Sequence, residues 1–155
     1  MGVSTSPRPP ATARQIKAGI RAFFRLAEKW SLSREQQERL LGRSVKRTTL
    51  YEWEQHPPSS LNDDQIMRLS YLLAIYEGLQ RVWRRTPDEA DRWVRRPNEE
   101  LPFNSRSPLS TMLDGGLPAM AAVRAHVDTA VGGPPSREES LRWLPEGPPL
   151  DAGAR

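Results

Sequence analysis

Proline is concentrated at the two ends of this 155-residue chain, and that distribution limits where a packed fold can lie. Three of the 15 prolines occur in residues 7–10 and five in residues 134–149. Proline lacks a backbone N–H and restricts the residue before it, so both ends are poor helix and strand formers. The sequence therefore predicts extended or mobile termini around a packed body from about Ala13 to Gly133, which Pro57 and Pro58 divide.

Apolar residues inside that body recur at the spacing of a helix. In the first predicted helix, Arg14 to Trp30, one apolar stripe runs at steps of three or four residues. The stripe consists of Ile16, Ile20, Phe23, Ala27 and Trp30. No alternation of apolar and polar residues is long enough to predict a strand. The predicted fold class is all-α, with an N-terminal helix-turn-helix bundle, a small helical domain after it and flexible Pro-rich termini.

Two short helices separated by a glycine are predicted next. Ser33 and Gln36 form a capping-box pattern that begins a helix reaching Leu41, and Gly42 ends it. Ser44 is the predicted N-cap of the third helix. The residues predicted to face inward from that helix are Val45, Thr49, Leu50 and Trp53.

Such an arrangement is what a helix-turn-helix needs to place side chains in the major groove of DNA. The candidate DNA-binding residues are Arg43, Ser44, Lys46, Arg47, Thr48, Thr49 and Tyr51. Lys and Arg neutralise phosphates, while Arg, Thr and Tyr can reach base edges or backbone oxygens. Residues 1–56 carry 11 basic and 5 acidic side chains, against 9 and 10 in residues 57–133, which agrees with this placement. Glu52 and Glu54 would repel phosphate, so a helical bundle that binds no DNA remains the alternative.

The second half of the body begins with a long helix. Asn62, Asp63 and Asp64 supply its N-cap and an acidic first turn, and its apolar face reaches Trp83. The elements predicted after it are a helix over 88–95, a loop over 99–106, a helix over 109–113 that Gly115 and Gly116 end, and a final helix over 117–131. The predicted units are an arm (1–13), a helix-turn-helix domain (14–58), a helical domain (59–133) and a Pro-rich tail (134–155).

Composition excludes several classes of function. The chain has no cysteine, which removes disulfides, thiolate metal sites and cysteine nucleophiles, and a reducing cytoplasm is the expected compartment. No segment has the pattern of a membrane span or a signal peptide. His56 and His126 lack other metal-ligating residues at suitable spacing, and no nucleophile elbow or phosphate-binding glycine loop is present. We expect no catalytic residue, no metal, no cofactor and no membrane partner.

An ordered set of residues in the second half resembles the MbcA/ParS/Xre antitoxin toxin-binding domain. The set comprises Asp64-Gln65-Ile66-x-Arg68-Leu69, Trp93, Pro97-Asn98, Leu101, Pro108-Leu109, Gly115-Gly116 and Gly132. In that family the domain follows an Xre-like helix-turn-helix, and the resemblance covers about residues 14–133. The stretch from Gly42 to Leu50 is longer than the family's spacing, and this chain continues past the glycine at which the family usually ends.

The resemblance implies an antitoxin of a type II toxin–antitoxin pair whose toxin has a RES domain and depletes NAD. Such an antitoxin homodimerises, covers the active site of the toxin and represses its own operon by binding operator DNA. The NAD chemistry would then belong to the toxin. Two alternatives remain open: a stand-alone helix-turn-helix regulator without a toxin, and an interaction module whose helix-turn-helix is only structural.

The candidate toxin-binding residues lie near the end of the fifth helix, at the start of the sixth and in the tail. They are Arg95, Arg96, Asn98, Leu101, Pro108, Leu109, Arg142, Trp143 and Leu144. Trp93 is interpreted as a core anchor rather than a toxin contact. In the tail, Ser136 and Glu139 form a capping box for two helical turns, which are too short to be stable without a partner. Either Trp143 and Leu144 anchor the tail on the toxin, or the segment caps the chain's own core or stays disordered.

Overall fold

The computed structural model describes residues 11–132 and contains six helices in this range. They are α1 (Ala13–Lys29), α2 (Arg34–Leu41), α3 (Arg47–Gln55), α4 (Asp63–Val82), α5 (Pro87–Trp93) and α6 (Pro108–Ala130). The β pairing found within 11–132 is one isolated bridge between Asn98 and Arg106. The predicted all-α fold is therefore confirmed. No helix in this range has both the length and the apolar character needed to cross a membrane.

Side-chain caps define the start of four helices. Capping boxes formed by Thr12 with Gln15, Ser33 with Gln36, and Asn62 with Gln65 begin α1, α2 and α4, and Ser107 caps α6. The prediction of Ser44 as the N-cap of α3 is wrong, because α3 begins at Arg47 after Lys46, which makes no side-chain cap bond. The turn is thus longer than predicted, and Ser44 lies within it.

The last helix, α6, is interrupted by a kink at Gly116. The two helices predicted over 109–113 and 117–131 join in α6, where Gly116 has φ 67° and ψ −147°. Such a backbone conformation is open to glycine and strained for residues with a side chain. Pro118 lies two residues after Gly116, and it is tolerated because the break has already released the backbone hydrogen bond that proline cannot donate.

The buried apolar side chains form one continuous cluster that extends through both halves of the chain. Helix α4 lies at its centre and packs against both α1 and α6. Its contact with α6 is especially close, since a Cβ on Gly78 would lie 2.6 Å from Cγ1 of Val127. Because α4 packs on helices from both halves, the core has no gap at the predicted boundary after residue 58. The division into two domains stays a prediction.

Candidate functional site

The turn between α2 and α3 is fixed by one glycine and two buried side chains. Gly42 ends α2 with φ 111°, and its N–H donates to the carbonyl of Glu38 at 3.0 Å. The N–H of Val45 then donates to the carbonyl of Gly42, also at 3.0 Å. Val45 and Leu50 are both buried, so they hold the turn and α3 against the core. The segment between them therefore has a defined position on the surface.

The start of α4 supports this turn through polar contacts. Arg68 donates from Nε to Asp64 at 2.8 Å, and its Nη1 lies 3.5 Å from the carbonyls of Arg39 and Leu40 at the end of α2. A cation there suits the negative end of the helix dipole. Nε2 of Gln65 donates to Oγ of Ser44 at 3.3 Å. Residues that the sequence assigned to a toxin-binding motif therefore brace the helix-turn-helix.

Six of the seven predicted DNA-binding residues are exposed on one segment that leads into α3. They are Arg43, Ser44, Lys46, Arg47, Thr48 and Tyr51, whereas Thr49 is half-buried. The first turn of α3 contains no acidic residue, so no carboxylate of that turn neutralises the positive end of the helix dipole. Within residues 11–132, no hydrogen bond or ion pair engages the side chain of Arg43 or Lys46. Nε of Arg47 lies 3.7 Å from Oε2 of Glu38, and the Arg47 side chain is 60% exposed.

One acidic side chain on α3 is already compensated. Glu54 forms an ion pair with Arg34 of α2, so its negative charge is balanced within the protein. The Arg34 guanidinium also lies 4.5 Å from the ring centroid of Tyr51, in a cation–π contact. The ion pair weakens the expected repulsion between α3 and phosphate, and the cation–π contact fixes the tyrosine ring at the surface.

A second surface is formed by the loop between α5 and α6. Asn98 bridges to Arg106 across the base of the loop, and its Oδ1 accepts from the N–H of Glu100 at 2.9 Å. Phe103 is buried and anchors the loop from below. Leu101 at the opposite side is 75% exposed. The loop therefore presents one large apolar side chain on a braced backbone.

The other predicted toxin-binding residues have different surroundings. Arg96 is exposed and pairs with Glu89 at 2.7 Å, an interaction that lowers the pKa of the Glu89 carboxyl. Arg95 instead donates to the carbonyls of Trp30 and Ser31, at 2.7 and 2.6 Å, and so caps the end of α1. The side-chain oxygen of Asn98 accepts a hydrogen bond within the loop. As toxin contacts these residues stay predictions.

Two predicted contacts are buried, and three lie beyond the range described. Pro108 and Leu109 are enclosed at the start of α6, where the N–H of Leu109 donates to the carbonyl of Val94 at 2.8 Å. They position the loop and α6, and in this arrangement they offer no surface to a partner. The predicted tail contacts Arg142, Trp143 and Leu144 lie outside the described residues.

An ion-pair network joins this loop to the helix-turn-helix. Asp114 of α6 pairs with Arg106 of the loop and accepts from Nη2 of Arg39, on α2, at 3.3 Å. The hydrogen bond from Arg106 is the main reason that the pKa of the Asp114 carboxyl lies below its ordinary value, and Arg39 lowers it further. Arg39 also donates to the carbonyl of Leu113 at 3.0 Å. The two candidate surfaces therefore share one structural support, which the sequence pattern gave no means of finding.

The aromatic residues near the loop are packed inward. Trp93 is half-buried, with its ring 5.6 Å from that of Phe103 and stacked on the His126 ring at 5.9 Å. The interpretation of Trp93 as a packing residue agrees with this position. His126 lies 3.8 Å from the carboxylate of Glu100. Among residues 11–132, no three His, Asp or Glu side chains are grouped as metal ligands would be.

Comparisons with known proteins identify the N-terminal part of the chain. Residues 11–74 match the model of the antitoxin Xre-like helix-turn-helix domain, a range that includes α1, α2, α3 and more than half of α4. Over 125 residues the chain is 37% identical to the uncharacterized protein y4oB of Sinorhizobium fredii (strain NBRC 101917 / NGR234), an alignment covering 81% of this chain and 93% of the relative. No solved structure matches the chain significantly. The expected Xre-like helix-turn-helix is confirmed.

Proposed function

We propose, from the premise that this chain belongs to one family with y4oB and carries an antitoxin Xre-like helix-turn-helix domain, that it is a DNA-binding antitoxin. It neutralises a RES-domain toxin that degrades NAD by covering the active site of that toxin. It also represses its own operon as a homodimer in the cytoplasm. The observation that carries the proposal is the match over 11–74, because it includes the turn, α3 and the α4 residues that brace the turn, and leaves the loop between α5 and α6 as a second surface for another partner.

The DNA-binding part of the proposal is supported by the exposed segment that leads into α3. Arg43 and Lys46 have no acidic partner within the described range, and the first turn of α3, which Arg47 and Thr48 begin, contains no acidic residue of its own. The one carboxylate near Arg47 in this range is that of Glu38 on α2, at 3.7 Å. Phosphate contacts from such cations release counterions, so the logarithm of the affinity falls with the logarithm of salt concentration by about 0.9 per phosphate. Thr48 and Arg47 are the side chains that can read base edges, because they lie on the first turn of α3.

The toxin-binding part of the proposal is supported by the loop that presents Leu101. An exposed leucine on a braced loop loses little conformational freedom on binding, and burying it in a partner gains about 1.5 kcal/mol or more. Arg96, which is exposed and lies five residues before Leu101 in the chain, can contact acidic groups around an apolar pocket. The tail with Trp143 and Leu144 is the second proposed anchor on the toxin.

Co-expression with the neighbouring open reading frame tests the antitoxin function. We expect the two chains to purify together, and the neighbour expressed alone to deplete cellular NAD. A complex without NAD loss would keep an antitoxin function and refute the RES assignment. Absence of any complex, together with binding to the DNA upstream of its own coding region, would leave the chain as a stand-alone regulator.

Matched variants separate the two binding surfaces. The variant K46Q/R47Q should weaken DNA binding and lower its salt slope by about 2, since each phosphate contact contributes about 0.9, while toxin binding is unchanged. The variant L101S should weaken the toxin complex by about tenfold, which corresponds to about 1.4 kcal/mol, and leave DNA binding unchanged. If either variant impaired both activities without unfolding, the assignment of two separate surfaces would be wrong.

A further inference from the structure

Among residues 11–132, some cations form ion pairs with carboxylates and others have no such partner. In α4, α5, the loop and α6, arginines form ion pairs with nearby carboxylates. These pairs are Arg68 with Asp64, Arg92 and Arg96 with Glu89, Arg106 with Asp114, and Arg124 with Asp128. On α1, by contrast, Lys17, Arg21 and Arg25 are exposed, and within residues 11–132 no hydrogen bond or ion pair engages their side chains. Arg84 and Arg85, after α4, also have no such partner in that range.

Three of the five cations of α1 form a row along the helix, and this row is called the α1 row below. Lys17, Arg21 and Arg25 are spaced four residues apart, so they lie one above another on the solvent face. Like charges at this spacing destabilise a helix. Glu28, the acidic residue of α1, is three residues after Arg25 and can offset the charge only at that end of the row, where Lys29 follows it. Elsewhere in the chain, residues four apart on a helix carry opposite charges and form an ion pair, as Arg68 does with Asp64. An anionic partner for the α1 row would remove this repulsion.

The α1 row borders the surface that presents α3. Phe24 stands next to Arg25, and the Arg34 guanidinium lies 5.9 Å from the Phe24 ring centroid and 4.5 Å from that of Tyr51. One groove between α1, α2 and α3 is lined by the charged side chains of Arg25, Glu28, Arg34 and Glu54. The row therefore adjoins the exposed face of the helix-turn-helix at one end. Because the apolar side of α1 is buried in the core, the helix has no face left to insert into a membrane.

We infer that the α1 row binds the phosphate backbone of the DNA duplex whose groove α3 enters, as a second set of contacts beside the turn. The inference rests on the proposed DNA-binding function. Lys17 to Arg25 spans about 12 Å at 1.5 Å per residue, which is long enough to follow several successive phosphates of one strand. Contacts of this type carry no sequence information, so the row fixes the orientation of the protein on DNA while α3 reads the bases.

The test compares DNA binding by the full chain and the variant K17Q/R21Q/R25Q over a series of salt concentrations. The probes are a duplex from upstream of its own coding region and a scrambled duplex of the same composition. The row variant should weaken binding to both duplexes by the same factor. Its salt slope should be smaller by about 2 to 3, at about 0.9 per lost phosphate contact. The control R84Q/R85Q removes two unpaired cations elsewhere and should keep the affinity and the slope of the unchanged chain.

Three further measurements make the result decisive. The charge-conserving variant K17R/R21K/R25K should bind like the unchanged chain, and circular dichroism should show that the glutamine variant keeps its helices. If that variant did not fold, the single variants K17Q and R21Q would each be expected to reduce the slope by about 0.9. An unchanged slope in the row variant, with K46Q/R47Q still impaired, would overturn the inference and leave the proposed function intact. Failure of the unchanged chain to bind any duplex would overturn both.

Discussion

Replacing Arg95 by alanine should destabilise the fold, although sequence reasoning placed this residue on a partner-binding surface. Arg95 donates from Nε and Nη2 to the carbonyls of Trp30 and Ser31, which are 65 and 64 residues away along the chain. A hydrogen bond from a charged group contributes about 1.5–3 kcal/mol when shielded and less when exposed. With one bond half-buried and the other exposed, we expect R95A to lose about 2 kcal/mol.

Thermal unfolding followed by circular dichroism measures this loss directly. For a chain of this size, about 1 kcal/mol lowers Tm by about 2–4 °C, so R95A should unfold about 4–8 °C below the unchanged chain. The matched control is R96A, because Arg96 pairs with the exposed side of Glu89 and such a pair contributes about 1 kcal/mol or less. R95K should fall between the two, since one ammonium cannot donate to two carbonyls with the geometry of a guanidinium.

The comparison between adjacent arginines decides the interpretation. If R95A were no less stable than R96A, the contact with the end of α1 would contribute nothing, and Arg95 would again be available as a partner contact. Loss of toxin binding in R96A at unchanged Tm would place the partner surface on Arg96. A loss in R95A that follows its Tm would be an indirect effect of unfolding.

Three other predictions concern the helix contacts and the ion-pair network. G78V should lower the free energy of unfolding by about 2 kcal/mol or more, because its side chain would overlap Val127, and V127A in the same chain should restore part of that loss, as chemical denaturation would show. L109D should leave the chain unfolded by circular dichroism, since it buries an unpaired charge, whereas L109M should remain folded. The pKa of Asp114 is lowered on folding, so its charge stabilises the fold at neutral pH and this effect is lost as pH falls below the ordinary value of 3.8. D114N should therefore have a lower Tm than the unchanged chain at pH 7, and the difference should disappear on acidification; a difference that persisted at low pH would show that the charge is not its cause.

Local signals in the sequence were sufficient to predict most of the helices. Side-chain caps such as Ser33 with Gln36 satisfy the free N–H groups of the first turn from residues three positions apart, so the pattern is visible along the chain. The same reasoning failed at Ser44, whose type suits an N-cap but whose hydroxyl accepts from Gln65, 21 residues later. Propensity at one position cannot reveal a partner that arrives from another helix.

The candidate DNA-binding segment was also predictable, because exposure near a short helix follows from the spacing of the buried residues. Burial of Val45 and Leu50 leaves Lys46, Arg47 and Thr48 on the outside whatever the details of the turn. The compensation of Glu54 by Arg34 was not predictable, since these residues lie on different helices and no periodicity relates them. The toxin-binding surface was harder to predict than the DNA-binding segment. Apolar residues such as Pro108 and Leu109 occur both at partner contacts and in the core, and here they are buried.

The sequence by itself determined which segments are helical, where four of the helices begin, and that basic charge is concentrated in the first 56 residues. These properties depend on neighbours within about one helical turn or on simple composition. The tertiary structure decided what the long polar side chains do. Arg95, Arg68 and Asp114 connect distant elements, while Lys17 and Arg21 remain unpaired within the described range. The physical reason is that arginine and lysine carry their charge several ångströms from the backbone, so the packing of other helices determines which carboxylates and carbonyls they reach.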